Sequence, residues 1–535
     1  VLIGLYKFTK KTCRQRMAMR LEHPLLLGLD LGTSSVKATL ADSNGSVLLS
    51  TSRSYPIETP RPGWCEQDPA LWWLSVKDAV QELLHKTGVD GNAVSSVCVS
   101  GQMHGLVLLN GSREVLRPAI IWSDNRSRDQ CIQIEDELGT ESLIEIAGNR
   151  AATGFAAVSF LWVRQNEPKV AESVKTLLFP KDYIRMRLTD KVCTDFSDAS
   201  GSLLLDIRGR KWSQEIASTV GIGLDDLPEI KGSHEAAGEL SRRAAESLGL
   251  KPGTVVANGG GDSMVGALGC GVISEEVWSV NIGTGGQVLS PVAKPVVDRM
   301  GRANTFCHAV PNMWVVQGSI LSAGLSLRWF RDTLGMEEKT LSKLCGIDVY
   351  DLLTLEAEKA PPCSNGLVFL PYLIGERTPH NDPAARGVFF GLSLTHDKAH
   401  MVRAVLEGVA FAFRDCKEVL TELGLKPGKL VFRGGGSKSR LWREILANVL
   451  SKTVVSTAQL SDVSFGSCLL AGTACGVWRD LNQACAETVK YGESSAPSPR
   501  FSRLYEKQYR LYVSLYRSLK PLFQLIAENR NCCSQ

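Results

Sequence analysis

The 535-residue chain has 44% hydrophobic and 22% charged residues, a balance that excludes fibres, small disulfide scaffolds and disordered chains. No apolar run reaches the ~18 residues a spanning helix needs, so no membrane partner is expected. Six of the 60 Lys and Arg (Lys7, Lys10, Lys11, Arg14, Arg16, Arg20) fall in the first 20 positions, which hold no acid. The remainder is nearly neutral and lacks the basic footprint that nucleic acid requires.

Residues 1–23 read as a basic leader, either absent from the mature protein, with Met17 or Met19 as alternative starts, or an organellar targeting segment. The rest is expected in the cytoplasm: fifteen cysteines, scattered and without a C-x-x-C pair, read as reduced thiols. The N-x-S triplets at Asn44, Asn110 and Asn125 read as chance matches.

The first ordered unit is a strand, Leu25 to Leu29, a polar turn, Asp30-Leu31-Gly32-Thr33-Ser34-Ser35, a second strand, Val36 to Ala41, and a hairpin turn at Asn44-Gly45. An amphipathic helix over Leu71 to Leu84 and a strand over Val94 to Val99 follow. From Thr254 the grammar restarts: a strand to Ala257, the turn Gly259-Gly260-Gly261-Asp262, a small-residue helix, a strand from Val277 to Ile282, and Gly283-Thr284-Gly285-Gly286. Helices are predicted over Met401 to Leu423, Ser439 to Ser451 and Phe501 to Asn529. Two α/β domains with a cleft between them are expected, with the boundary at Pro252-Gly253: residues 24–252, residues 253–520 and a tail, 521–535.

Four glycine turns carry the chemistry. Asp30 at a strand end, followed by Gly32, Thr33 and Ser34, offers a carboxylate for magnesium and donors for a polyphosphate; the same residues also serve an Asp-capped hairpin. Asp262 puts a second carboxylate at a glycine-rich strand-to-helix junction, where bulk would block a substrate, although a lone Asp there is also a plain helix cap. The third and fourth turns, at Gly283 and at Gly434-Gly435-Gly436-Ser437, present backbone amides. There is no P-loop, dinucleotide fingerprint or G-x-S-x-G. His396 and His400, four apart, lack the third ligand of a metal site.

In this order and separation the four turns resemble those of the FGGY carbohydrate kinases of the actin-like ATPase superfamily, over residues 24 to 520. The stretch from Gly387 to Glu407, with Gly387-Val388-Phe389-Phe390-Gly391-Leu392, His400-Met401 and Ala404-Val405-Leu406-Glu407, fits that family's C-terminal signature. Within the family the likeness is to the members that phosphorylate D-xylulose, through Trp64-Cys65-Glu66-Gln67-Asp68-Pro69, Gly101-Gln102-Met103-His104-Gly105, Pro180-Lys181-Asp182-Tyr183, Ser197-Asp198-Ala199-Ser200-Gly201, Phe306-Cys307-His308-Ala309 and Gly375-Glu376-Arg377-Thr378-Pro379.

The resemblance implies two ribonuclease H-like domains and ATP-dependent phosphorylation of D-xylulose to D-xylulose 5-phosphate. It implies Asp262 as general base and sugar contact, Met103, His104 and Ser263 as further sugar contacts, and Asp30 as the catalytic carboxylate near Mg2+. ATP is implied at Thr33, Gly283, Thr284, Gly285, Gly435, Gly436, Ser439 and Trp329, and a homodimer is the family's habit.

Three departures put the sugar in play. Val158-Ser159 stands where the family has Pro-Lys, Ser263 where the xylulose-specific members carry Asn, and Ser461-Asp462-Val463-Ser464-Phe465-Gly466 lacks the usual Gly-Pro. Another sugar such as D-ribulose or a related ketose or polyol, or a sensor of sugar or nucleotide without turnover, are the alternatives.

Overall fold

The computed structural model describes residues 23–458 and 463–533, so nearly all of the basic leader and Ser461-Asp462 lie outside the described residues. A sheet forms from β1 (Leu25–Leu31), β2 (Ser35–Asp42), β3 (Val47–Ser54), β4 (Val94–Gly101), β5 (Ala236–Glu239) and β6 (Val255–Ala257), in the order β5-β6-β4-β1-β2-β3. β1 runs antiparallel to β2 and parallel to β4, and β4 runs parallel to β6. The Asn44-Gly45 turn joins β2 to β3, with Gly45 at φ +77°.

The alternation in β1 decides what covers each face. Leu25, Leu27, Leu29 and Leu31 share a core with Trp72, Val76 and Val80 of the helix Pro69–Thr87, each leucine contributing ~2 kcal/mol by burial. That helix starts where its sequence says it should: Asp68 caps it through the Ala70 amide at 2.8 Å, Pro69 is its first residue, and Gly88 ends it in the left-handed conformation. Leu26 and Gly28, on the other face, pack against the helix Val463–Ala474.

The second sheet comprises β7 (Val277–Ile282), β8 (Gly286–Val292), β9 (Asn304–Cys307), β10 (Trp314–Ile320), β11 (Lys429–Gly434), β12 (Val454–Thr457) and β13 (Tyr491–Ser495), in the order β9-β10-β8-β7-β11-β12-β13. β7 is antiparallel to β8 and parallel to β11, β11 is parallel to β12, and β12 is antiparallel to β13. This repeats the plan of the first sheet, with β7 in the place of β1 and β11 in that of β4.

The repeat therefore restarts at Val277 rather than near residue 254. Residues 23–273, with Phe306–Trp314 and 463–489, form one unit; 274–305, 315–458 and 490–533 form the other. Pro252-Gly253 is a turn inside the first unit: the helix Arg242–Leu248 ends at Gly249, and Gly253, at φ +80°, leads the chain into β6 beside β4. The expected tail is helical as well, since Pro499–Cys533 runs through it with Phe523 buried. Among the described residues no helix is long and apolar enough to cross a membrane, and the cysteines from Cys65 to Cys485 are free thiols.

Candidate active site

The carboxyl ends of the parallel strands β1, β4 and β6 lie side by side, the edge at which open α/β sheets bind ligands. Asp30 is the penultimate residue of β1, within the strand rather than in the turn, and registers with Ser100 and Lys37. The chain leaving β4 carries Gln102, Met103 and His104, and the chain leaving β6 carries Asn258 to Gly261 before the helix Asp262–Gly269. Backbone hydrogen bonds stitch the three ends together: Gln102 N–H to the Leu31 carbonyl at 2.9 Å and Gly101 N–H to the Gly260 carbonyl at 3.3 Å. The helix Asp262–Gly269 packs on Val463–Ala474, where a Cβ on Gly466 would stand 2.1 Å from the Val265 carbonyl oxygen. Asp30 and Asp262 thus belong to the same end of one sheet, on the side covered by Val463–Ala474.

The glycines before Asp262 are explained by packing within the protein. Gly259 sits at φ +79°, and a Cβ there would meet the Val99 carbonyl oxygen at 1.8 Å. A Cβ on Gly261 would lie 2.6 Å from Met103 Cγ. Room for β4 accounts for Gly259, and room for the Met103 side chain for Gly261. Asp262 itself is half-buried, and its Oδ1 accepts the Ser263 N–H at 2.6 Å.

His104 adopts a left-handed backbone at φ 72°. Its Nδ1 lies 2.6 Å from the Gly201 carbonyl oxygen. A carbonyl only accepts, so Nδ1 carries a proton. Phe155 and Phe306 flank the imidazole, with ring centroids at 4.5 and 5.8 Å, and Met103 is buried beside them.

The loop after Asp30 is held by a residue that chemistry alone would not single out. Buried Gln67 donates through Nε2 to the Thr33 carbonyl at 2.7 Å, while its Oε1 accepts from Gln102 Nε2 at 2.9 Å and Trp72 Nε1 at 3.2 Å. Trp122 Nε1 donates to Thr33 Oγ1 at 2.9 Å. The Tyr55 hydroxyl donates to the Gly32 carbonyl; burial and then the negative Asp30 push this phenol far up. In the sequence Gln67 stands only as part of Trp64 to Pro69, and a Gln between Glu66 and Asp68 carries no mark of burial.

Val158 and Ser159 are both buried on the helix Ala156–Asn166, and Ser159 Oγ has no hydrogen-bond partner among the described residues. By the resemblance, the neutral Ser159 stands where a lysine is expected and Val158 where a proline is. His396 and His400 serve local structure: Asp397 caps the helix Lys398–Glu422, and His400 completes the capping box.

In the second unit, the Gly283-Thr284-Gly285 turn joins β7 to β8, and Gly434 to Ser439 follow β11; Ile282 and Gly434 are paired, so both loops leave the same edge. A Cβ on Gly436 would stand 2.8 Å from Ile282 Cγ2, whereas Gly435 has open space around it. Carbonyls of Gly283 and Thr284 accept from Gly324 N–H at 2.9 Å and Ala323 N–H at 3.1 Å, seating the helix Gly324–Thr333 on the turn. Ser439 caps the helix Arg440–Leu450 through the Trp442 amide at 3.1 Å. Trp329 packs with Phe369 and Phe389, at 6.3 and 6.4 Å between centroids, which gives its ring a place in an aromatic cluster.

No group of three or more His, Cys, Asp or Glu side chains that could hold a metal occurs among the described residues. The donor set around Asp30, one carboxylate with the Thr33 hydroxyl three positions on, fits magnesium, which keeps its waters and shares oxygens with substrate phosphates instead of filling a protein cage.

Comparison with known proteins bears on the same elements. The model of the FGGY family of carbohydrate kinases, N-terminal domain, matches residues 25–269, and that of the C-terminal domain matches 278–475. The chain is 36% identical over 505 residues to a xylulose kinase of Lactococcus lactis subsp. lactis (strain IL1403), covering 94% of this chain and 98% of the relative. It is 34% identical over 497 residues to a xylulose kinase of Bacillus subtilis (strain 168), covering 93% and 97%. The crystal structure of xylulose kinase from Rhodospirillum rubrum matches with a TM-score of 0.85 at 30% identity, covering 94% of this chain and all of that one.

Proposed function

The chain belongs to the FGGY family of carbohydrate kinases, a phosphotransferase acting on an alcohol group of a sugar, and from that membership we propose that it converts D-xylulose and ATP to D-xylulose 5-phosphate and ADP. The observation that carries this reading is the convergence of Asp30, His104 and Asp262 on one edge of the first sheet. Relatives named as xylulose kinases, matched along nearly their whole length, support the choice of sugar.

In this reading the terminal hydroxyl oxygen of the sugar forms the new bond to the γ-phosphorus while the bond to the β,γ-bridging oxygen breaks. Asp262 accepts the hydroxyl proton late in that transfer. His104 accepts a hydrogen bond from a sugar hydroxyl through Nε2, and its Nδ1–H bond to Gly201 keeps that tautomer. Met103 supplies an apolar wall, and Ser263 contacts the sugar beside the base.

Asp30 would hold magnesium, which when bound with ATP neutralises phosphate charge. Thr33 would contact the phosphates from the first unit; in the second unit the Gly283-Thr284-Gly285 turn, whose Gly283 N–H is donated to the Gly285 carbonyl at 3.0 Å, would offer the amides of Thr284 and Gly285 to phosphate, and Gly435, Gly436 and Ser439 would meet the nucleoside. The open space around Gly435 suits close approach of a ligand to the backbone.

The test is ADP release with magnesium and ATP against D-xylulose, D-ribulose, L-ribulose, L-fuculose, glycerol and no sugar. Selection of D-xylulose is expected. Selection of another sugar would keep the kinase and replace its substrate, and turnover with none would remove the catalytic reading.

A further inference from the structure

The short helix Phe196–Gly201 touches the site at both ends. Near its start, Ser197 Oγ accepts the Gly261 N–H at 2.9 Å, and Gly261 caps the helix that opens with Asp262. At its end, the Gly201 carbonyl accepts the His104 Nδ1–H at 2.6 Å. Between them, Ser200 Oγ accepts the N–H of Cys307, next to Phe306 on the His104 ring, at 2.9 Å.

We propose that this helix is the spacer that fixes Asp262 relative to His104, with Ser197 as the positioning residue at the Asp262 end. The proposal rests on the kinase reading above and names how its base is held.

The direction of each bond follows from chemistry. The Ser197 hydroxyl donates a hydrogen bond to Asp195 Oδ2, 2.5 Å away, and so turns a lone pair to the Gly261 N–H. Asp195 also accepts from Ser197 N and from Ser233 Oγ, both at 2.8 Å, and its Oδ1 lies 3.0 Å from Lys181 Nζ. Lys181 is ion-paired with Asp182 as well and lies 3.3 Å from Asp198. Arg185 reaches from Asp182 at 2.8 Å to Asn258 Oδ1 at 2.7 Å, the residue that opens the turn before Asp262. All five side chains are fully buried, and burial pushes the Asp198 carboxyl well above the usual carboxylate range, towards its neutral form.

Fixing a turn by buried charge is costly, because desolvation of each ion must be offset by its partners, and well-packed apolar side chains would fill the same space at no such cost. Apolar groups could not accept the Gly261 N–H or direct the Ser197 hydroxyl. The cluster reaches the Asp262 turn from two sides, through Ser197 and through Asn258. Closeness is also written in the glycines: a Cβ on Gly260 would lie 2.9 Å from Ser197 Oγ, and one on Gly101 3.1 Å from Lys181 Cβ.

The experiment compares wild type, Ser197→Ala and Ser197→Thr for melting temperature, kcat, KM for D-xylulose and ATP, and amide hydrogen exchange over residues 258–264. Ser197→Ala is expected to stay folded, lose roughly 10- to 100-fold in kcat with KM for ATP within about twofold, and exchange faster at 258–264. Ser197→Thr, which keeps the hydroxyl, is expected to recover most of kcat and of the protection. Unchanged kcat and exchange in a folded Ser197→Ala would overturn the spacer. So would a loss of kcat that merely tracks the folded fraction. Exchange in Ser197→Ala gives a readout even if Ser197→Thr does not fold. Wild type is read in the same assay, so a wild type inactive on D-xylulose would overturn the choice of sugar and leave the spacer to be decided by exchange over 258–264, whereas an active wild type with an equally active Ser197→Ala overturns the spacer alone.

Discussion

Gly28 on β1 lies so close to Ser464 that a Cβ built on it would stand 1.9 Å from the Ser464 carbonyl oxygen and 2.9 Å from the Cys468 amide nitrogen. Both are backbone atoms of one helix, so neither can turn aside as a side chain would. Nearby, Ser467 Oγ hydrogen-bonds with Ser100 Oγ at 2.8 Å, and Ser464 Oγ with Thr39 Oγ1 at 2.7 Å, joining the same helix to β4 and β2. Gly28→Ala is therefore expected to destabilise the first unit by ~3 kcal/mol, read as a fall in denaturation midpoint. An unchanged midpoint would mean that the helix shifts freely and does not lock the sheet end bearing Asp30.

Asp262→Asn separates the chemical role of this residue from its structural one. The Asn side-chain oxygen can still accept the Ser263 N–H that Asp262 Oδ1 accepts at 2.6 Å, so the helix start is preserved. Losing the negative charge in the first turn costs the helix ~0.5 kcal/mol. Turnover is expected to fall by roughly 10²- to 10⁴-fold while ATP affinity, measured by calorimetry, stays within a few-fold. Near-normal turnover would remove Asp262 as the base.

Much of this site was legible as strings and little of it as space. The leucines of β1 and the Asp68-Pro69 cap gave their elements directly, because period and capping are local properties. Asp30, His104 and Asp262 were legible through residue type and resemblance. The return of 463–489 to the first unit was not, because an apolar helix carries no mark of which sheet it will cover. Nor could sequence show that Lys181, Asp182, Asp195 and Asp198 meet in one buried cluster, since charges scattered over eighteen positions read as a solvated surface. Gly259 and Gly261 show the reverse error: their type was read as space for a ligand, while the space is taken by Val99 and Met103.

Asp30→Ala tests the metal assignment independently of the base. A single carboxylate sharing magnesium with phosphate oxygens tunes metal affinity without creating it. The magnesium concentration for half-maximal activity is expected to rise by roughly tenfold, with the KM for sugar little changed. A titration curve that superposes on wild type would remove Asp30 from the metal.

In the second unit, two buried carboxyls set a pH dependence of stability. Burial pushes Glu376 up to about 8, although its Oε1 accepts from Arg377 N at 2.8 Å and Leu321 N at 2.9 Å. Burial likewise pushes Asp415 up to about 7, against a hydrogen bond from Tyr509 at 2.6 Å. Both groups hold their protons in the folded state at pH values where the unfolded chain has lost them. Their contribution is full below the ordinary carboxylate range and is lost as pH rises through 7 and 8. The melting temperature is expected to fall from pH 5 to 8.5, with Glu376→Gln flattening the curve by up to ~1.4 kcal/mol per pH unit, one proton's worth. A Gln variant with the wild-type slope would show that Glu376 is ionised in the folded protein.

Ser263 is half-buried, directly follows the proposed base, and in the proposed reading contacts the sugar. A hydroxyl offers one donor at a time, whereas the amide of Asn pairs a donor with an acceptor at fixed spacing. A site built to bind a hydroxyl rejects a sugar lacking it by leaving its own polar groups unpaired. Ser263→Asn is therefore expected to raise the ratio of kcat/KM for D-xylulose over D-ribulose by roughly fivefold, about 1 kcal/mol and within the range of one neutral hydrogen bond. An unaltered ratio in an active variant would show that discrimination between the two ketoses is made elsewhere, with His104 and its flanking rings Phe155 and Phe306 the next place to look.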